Sequence, residues 1–341
     1  MKVLVTGGAG FIGSNFVRQL LQSRGAIQIV NFDKLTYAGN PENLADLKDD
    51  RRYEFVRGDI CDPDAVTRLF DRHFDVVVHF AAETHVDRSI EDATPFLETN
   101  IRGTLRLLEA VRKFPSLRFV HISTDEVYGS APSGESFNEE SELDPGSPYS
   151  ASKASAEHFV QAYANTYGVS AVILRCTNNF GPYQFPEKLI PLIIANAEED
   201  KPIPVYGDGM QERDWLFVED FCVAISLAME KAKPGSLYNV SAGRPQRNLE
   251  IVRTILKHLG KPESLIQFVQ DRPGHDRRYA LDSSKLRREL AWKPSVTFEE
   301  GIQKTISWYQ QHREWLEHAR SGEYRSYYDR HYIKRAETFR S

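Results

Sequence analysis

The chain has 341 residues, 27% of them charged and 41% apolar, and a net charge of −5. It is long enough for one large domain or two coupled ones, while its mild acidity, without a long basic run, gives nothing that suggests nucleic acid as the main partner. No stretch reaches the ~20 apolar residues of a membrane span, and Cys61, Cys176 and Cys222, far apart and outside CxxC or Cys/His spacing, give neither a disulfide framework nor a metal site.

The first element begins at the N-terminus: Lys2–Thr6 reads as a strand, leaving no room for a signal peptide, so a cytoplasmic location is expected. Further strands are expected at 27–33, 53–57, 75–80, 118–124 and 170–176, with helical patterns between most of them. Runs such as Val76-Val77-Val78 imply burial on both faces, hence a parallel sheet covered by helices. A helix over about 149–167 opens with Ser147 as N-cap and Pro148 at its first position. Beyond residue 180 prolines punctuate a mixed region, with helices expected at about 219–232, 248–259 and 298–319 and a strand at 236–240. The fold class is α/β: a Rossmann-type doubly wound parallel sheet over residues 1–178, then a smaller mixed α/β substrate domain over 179–341. The second part is discontinuous, because the segment near 215–240 is able to return to the main sheet. The basic segment from Arg320 to Arg340, interleaved with Tyr324, Tyr327, Tyr328 and Tyr332, reads as a tail packed through its aromatics.

Between the first strand and first helix lies VTGGAGFIGS, in which Gly7, Gly8, Gly10 and Gly13 satisfy two nucleotide-binding spacings at once. Glycines there permit a tight turn and close backbone approach to a pyrophosphate seated on a helix N-terminus. Asp33 follows Gly13 by 20 residues at the end of the second strand. Such an acid accepts hydrogen bonds from ribose hydroxyls and repels a 2′-phosphate, favouring NAD over NADP, a preference that neighbouring Lys34 weakens. Asp59, in Gly58-Asp59-Ile60, ends the third strand within reach of an adenine.

Tyr149 and Lys153 are four residues apart in an expected helix and project from one face, about 6 Å apart at Cβ. A nearby ammonium and a nicotinamide's positive charge favour the phenolate, giving a base able to take a hydroxyl proton while the carbon loses hydride. Upstream, the strand ending in Ser123-Thr124 runs into adjacent acids, Asp125 and Glu126. Neighbours on an extended strand face opposite ways, so both reach one substrate only if the chain turns straight after Thr124. Spacing alone leaves open which acid gives and which takes a proton.

Together with FAAETHVDRS, RCTNNFGPYQ, YGDGMQERDW and DRPGHDRRYA, these motifs resemble the extended short-chain dehydrogenase/reductase superfamily, and within it the dTDP-glucose 4,6-dehydratases, almost end to end. The resemblance implies an internal redox cycle on a tightly bound NAD: C4 oxidation with Tyr149 taking the hydroxyl proton, C5 deprotonation by Glu126, protonation of the departing C6 hydroxyl by Asp125, and hydride return to C6. Thr124 and Lys153 complete the implied catalytic set. The implied cofactor contacts are Gly7, Gly10, Phe11, Ile12, Gly13, Asp33, Lys34, Leu35, Thr36, Gly39, Asp59, Ile60, Ala81, Ala82, Glu83, Thr99, Ser123, Tyr149, Lys153 and Asn179. For the nucleotide-sugar they are Thr84, His85, Thr124, Asn178, Lys188, Leu189, Pro204, Val205, Tyr206, Arg213, Asn248, Asp271, Arg272, Pro273, Gly274 and His275. The arginines suit a diphosphate and Tyr206 suits stacking on a pyrimidine. A homodimer through the helices near 96–113 and 149–167 is also implied. The alternatives are a UDP- or CDP-sugar dehydratase or epimerase of the same superfamily, and a non-catalytic nucleotide-sensing protein on the same fold.

Overall fold

The computed structural model describes residues 1–321; the tyrosine-bearing tail from residue 322 onward lies outside the described residues. Seven strands form one parallel sheet: β1 (Lys2–Thr6), β2 (Gln28–Asp33), β3 (Tyr53–Arg57), β4 (Val76–His79), β5 (Arg118–Thr124), β6 (Ser170–Cys176) and β7 (Leu237–Val240). Their order across the sheet is β7-β6-β5-β4-β1-β2-β3, so the winding reverses between β1 and β4, and ligands of such sheets bind at the carboxyl ends beside that reversal. All seven sequence-expected strands are found within a residue of their expected bounds, and β7 pairs with β6.

The apolar runs explain the layering. Successive side chains point to opposite faces, so Val3, Val5, Val78 and Val120 pack under helices Phe11–Ser23 and Val218–Lys231, while Leu4, Val30, Val77 and Phe119 pack under helix Pro148–Tyr167 and the helices near 63–70 and 104–111. A separate core, including Phe180, Ile193, Trp215, Phe217, Ile255 and Tyr309, holds together the helices and short strands after residue 178.

Helix Pro148–Tyr167 starts where expected: Ser147 Oγ accepts from Ser150 N at 3.1 Å, Ser150 Oγ accepts from Ser147 N at 2.9 Å, and the helix ends at Gly168 with φ 69°. The expected helix over 298–319 is two helices, Phe298–Gln311 and Arg313–Ala319. His312 leaves helical geometry at φ −121°, ψ 47°, its ring stacked on Trp308 with centroids 4.4 Å apart. Its amphipathic period continues across the break, so the pattern hid it.

Candidate functional site

The carboxyl ends of β1 to β6 open onto a cavity of about 290 Å³. At its floor, a Cβ on Gly7 would lie 2.5 Å from Ala81 N, and one on Gly13 would lie 2.4 Å from the Gly7 oxygen. Gly7 also has φ +74°, so both positions require glycine. Helix Phe11–Ser23 begins at Gly10 with no side-chain cap, leaving its first N–H groups for an anion. Asp33 is held at the end of β2 by Ala9 N (2.9 Å to Oδ2) and Leu35 N (2.8 Å to Oδ1). Its carboxylate keeps further lone pairs for ligand hydroxyls. Lys34 forms an ion pair with Asp59 at 2.7 Å, so the cation that argued against an unphosphorylated ribose is partly neutralised. These residues fit a dinucleotide with free ribose hydroxyls.

At the end of β5 the chain turns at once. Thr124 caps a 3-10 turn, Asp125–Tyr128, accepting from Glu126 N at 3.3 Å. The turn resolves the geometric demand of the two adjacent acids: Asp125 and Glu126 both line the cavity, next to Thr124, Tyr149 and Lys153. Thr124 Oγ1 donates to Asp125 Oδ1 at 3.2 Å. Burial first, and the Glu126 charge second, push the Asp125 carboxyl up to about 7. Glu126 is also raised by burial, against the pull of Arg272, Arg213 and Lys188. An acid raised to about 7 beside a second carboxyl that three cations pull toward its ionised form is an arrangement able to give and take protons near neutrality.

Tyr149 is buried. Burial, then the Glu126 charge, push its phenol well above the ordinary value, while Lys153 donates to the Ile122 carbonyl at 2.7 Å. Desolvation of a phenolate thus outweighs the ammonium one helical turn away, and the protein by itself keeps the phenol neutral. Burial also lowers Lys153 to about 8.

A second cavity of about 170 Å³ shares Thr84, Glu126, Asn178, Glu187 and Lys188 with the first. His85, Leu189, Pro204, Val205, Tyr206, Arg213, Asn248, Arg272 and His275 line it. Arg213 is fixed by backbone carbonyls, donating to Glu212 and Asp276 at 2.8 Å each, and lies over the Tyr279 ring at 4.0 Å. Of the sequence-expected residues, Leu35, Asp271, Pro273 and Gly274 line neither cavity. Leu35 anchors Asp33 through its N–H, and Asp271 accepts from His275 Nδ1 at 2.6 Å and from Gln211 at 2.8 Å, orienting ligand-facing neighbours.

The sequence reading missed Glu187, which burial raises to about 7 at the junction of the cavities, and Tyr279 at the second. Lone residues in loops carry no periodic signal. It also missed a π-helical segment, Leu97–Gly103, which turns Thr99 into the first cavity and lets Asn100 bridge the Glu83 backbone and Ser152. Among the described residues no cluster of three or more His, Cys, Asp or Glu is arranged to hold a metal ion.

The model of the GDP-mannose 4,6 dehydratase family matches residues 4–305. The chain is 51% identical to a dTDP-glucose 4,6-dehydratase of Xanthomonas campestris pv. campestris (strain B100), over 94% of this chain and 97% of the relative. Among solved structures it is similar to a dTDP-glucose 4,6-dehydratase from Streptomyces venezuelae with NAD and TYD bound, at 47% identity, TM-score 0.91, and 94% and 100% coverage of the two chains. It is also similar to one from Bacillus anthracis in complex with NAD, at 46% identity, TM-score 0.89, and 94% and 99% coverage. The turn that delivers two carboxylates beside a Tyr-Lys pair, and this likeness over nearly the whole length, agree: the chain belongs to the dTDP-glucose 4,6-dehydratase family of the extended short-chain dehydrogenases/reductases.

Proposed function

We propose that the protein is an NAD-dependent hydro-lyase that converts dTDP-glucose to dTDP-4-keto-6-deoxyglucose and water. Bound NAD supplies a hydride acceptor at the sugar's C4 and is restored within the same turnover. The chain's own residues move the protons. Thr124 positions the C4 oxygen and Tyr149 takes its proton. Glu126, which Arg272, Arg213 and Lys188 pull toward its carboxylate form against the burial that raises it, takes the proton from C5, made acidic by the neighbouring carbonyl. Asp125, held protonated by burial, gives its proton to the departing C6 oxygen. The observation that carries the reading is the 3-10 turn that brings Asp125 and Glu126 to one cavity. An epimerase, which returns hydride to C4, has no need of that acid pair, and a nucleotide sensor has no need of Tyr149 and Lys153 as well.

The same reading assigns residues 1–178, with the segment near 215–240, to the cofactor and residues 179–341 to the sugar nucleotide, in a cytoplasmic homodimer. Exposed Leu97 (54%) and Tyr167 (51%), with Phe159, lie on the helices expected to pair, and such apolar surface favours a second copy. Leu97→Asp with Tyr167→Glu is expected to give a monomer by light scattering; an unchanged mass would remove these helices from the interface. No helix of the described residues is long and apolar enough to cross a membrane.

The test of activity is incubation of purified protein with dTDP-, UDP- and CDP-glucose without added NAD. A product lighter by one water, from dTDP-glucose alone, is expected. A 4-epimer, or no product even after NAD is supplied, would overturn the proposal.

A further inference from the structure

Beneath the acid turn lies a buried chain of polar groups that the reaction scheme does not use. Glu157 sits one helical turn beyond Lys153 and is fully buried, with 0% exposure. Its carboxylate accepts from Arg175 Nε at 2.9 Å and Arg175 Nη2 at 2.6 Å, and from the Ser123 hydroxyl. Arg175, 3% exposed, donates from Nη1 to the Tyr128 hydroxyl at 2.6 Å, its guanidinium 4.6 Å from that ring. The Tyr128 hydroxyl then donates to Asn239 Oδ1 at 2.9 Å.

Register explains the alignment. Ser123 pairs with Arg175 between β5 and β6, and Arg175 pairs with Asn239 between β6 and β7, so three polar side chains form one row across three parallel strands. Tyr128 closes the turn that carries Asp125 and Glu126, whose other end is capped by Thr124. One network therefore reaches the catalytic turn at Tyr128, the strand end at Ser123, and the helix face that carries Lys153. Replacing a buried ion pair by apolar residues of similar volume often leaves stability unchanged, so stability alone does not account for this one.

We propose that Glu157, with Arg175, is a positioning residue of the reaction centre: through Tyr128 it fixes the turn bearing Asp125 and Glu126, and it places a carboxylate one turn along the helix face that carries Lys153. The inference rests on the dehydratase reading of the same site. Burial lowers Lys153, and Glu157 is the foremost group opposing that fall. The other titratable groups facing Lys153 are Tyr149 on its own helix, Cys176 at the end of β6, and His79 and His121 on β4 and β5. Burial holds both histidines neutral and raises both the Cys176 thiol and the Tyr149 phenol, so none of them supplies the negative charge that Glu157 does.

The test compares intact wild type, Glu157→Gln and Tyr128→Phe with dTDP-glucose across pH. Reduced-nicotinamide absorbance follows oxidation, product formation follows elimination, and circular dichroism monitors the fold. Glu157→Gln is expected to lower kcat at least about tenfold with KM within about threefold, and to move the alkaline limb of the oxidation step down by roughly one pH unit, because Lys153 then loses its proton earlier. Tyr128→Phe removes one hydroxyl from the same chain of bonds without a charge change, and is expected to slow elimination about tenfold while leaving that limb in place. It keeps the inference testable should Glu157→Gln fail to fold. Variants matching an active wild type in rate and pH profile would overturn this inference alone. No product from wild type with any nucleoside-diphosphate glucose would overturn it together with the assigned function.

Discussion

Glu126→Gln is expected to slow water elimination by roughly two to four orders of magnitude while leaving C4 oxidation largely intact. Asp125→Asn should slow the same step to a similar degree, but the two variants differ in one measurable way. With Glu126 present, C5 deprotonation survives, so Asp125→Asn should still exchange the C5 hydrogen with deuterated solvent. Glu126→Gln should not. If both exchange equally, the division into base and acid is wrong.

Acid pressure on Asp125 also predicts pH behaviour. Its carboxyl is raised from 3.8 to about 7, so elimination should fall above that pH, and fall again on the acid side as the base Glu126 is protonated. Removing the Glu126 charge relieves part of the shift, moving the limb in Glu126→Gln to lower pH. Stability follows with its own sign. The folded state binds this proton more tightly than the unfolded chain, so the group's contribution is fully present below about 3.8 and is lost as pH rises through about 7. At pH well above 7 the buried carboxylate costs on the order of a few kcal/mol, and Asp125→Asn should raise Tm there while slowing turnover. A lower Tm for that variant at alkaline pH would contradict a raised Asp125.

Tyr149→Phe is the second large effect: oxidation itself should fall by roughly two to four orders of magnitude, with no accumulation of reduced cofactor in a single turnover. The residue is packed against Phe96 with ring centroids 6.3 Å apart, and its N–H donates to Ser89 Oγ at 3.2 Å, so loss of the hydroxyl leaves the ring and helix in place. KM for the sugar nucleotide should change little. A variant that oxidises C4 at the wild-type rate would require another proton acceptor. Burial raises the phenol in the protein alone, so positive charge brought to the site by a ligand is expected to assist this proton transfer.

Local chemistry made much of this molecule legible from its residues. Continuous apolar runs specified the parallel strands, because both faces of such a strand are buried. Ser147, Pro148 and Gly168 delimited the long helix, and glycine spacing marked the nucleotide turn, since each is a rule about a few consecutive residues. The acid pair was visible as a chemical oddity, but whether its two side chains meet depended on the turn after Thr124, whose conformation is set by a side-chain cap. Three features needed the folded chain. The break at His312 is hidden under a continuing amphipathic period, and the entry of Glu187 and Tyr279 into the sugar-side cavity depends on loops without periodicity. Most of all, the row Ser123–Arg175–Asn239 joins residues that are up to 116 positions apart. Composition and spacing thus determined the fold class and marked the candidate reacting groups, whereas strand register and burial set the electrostatic surroundings of each, because desolvation depends on what the tertiary structure places around it.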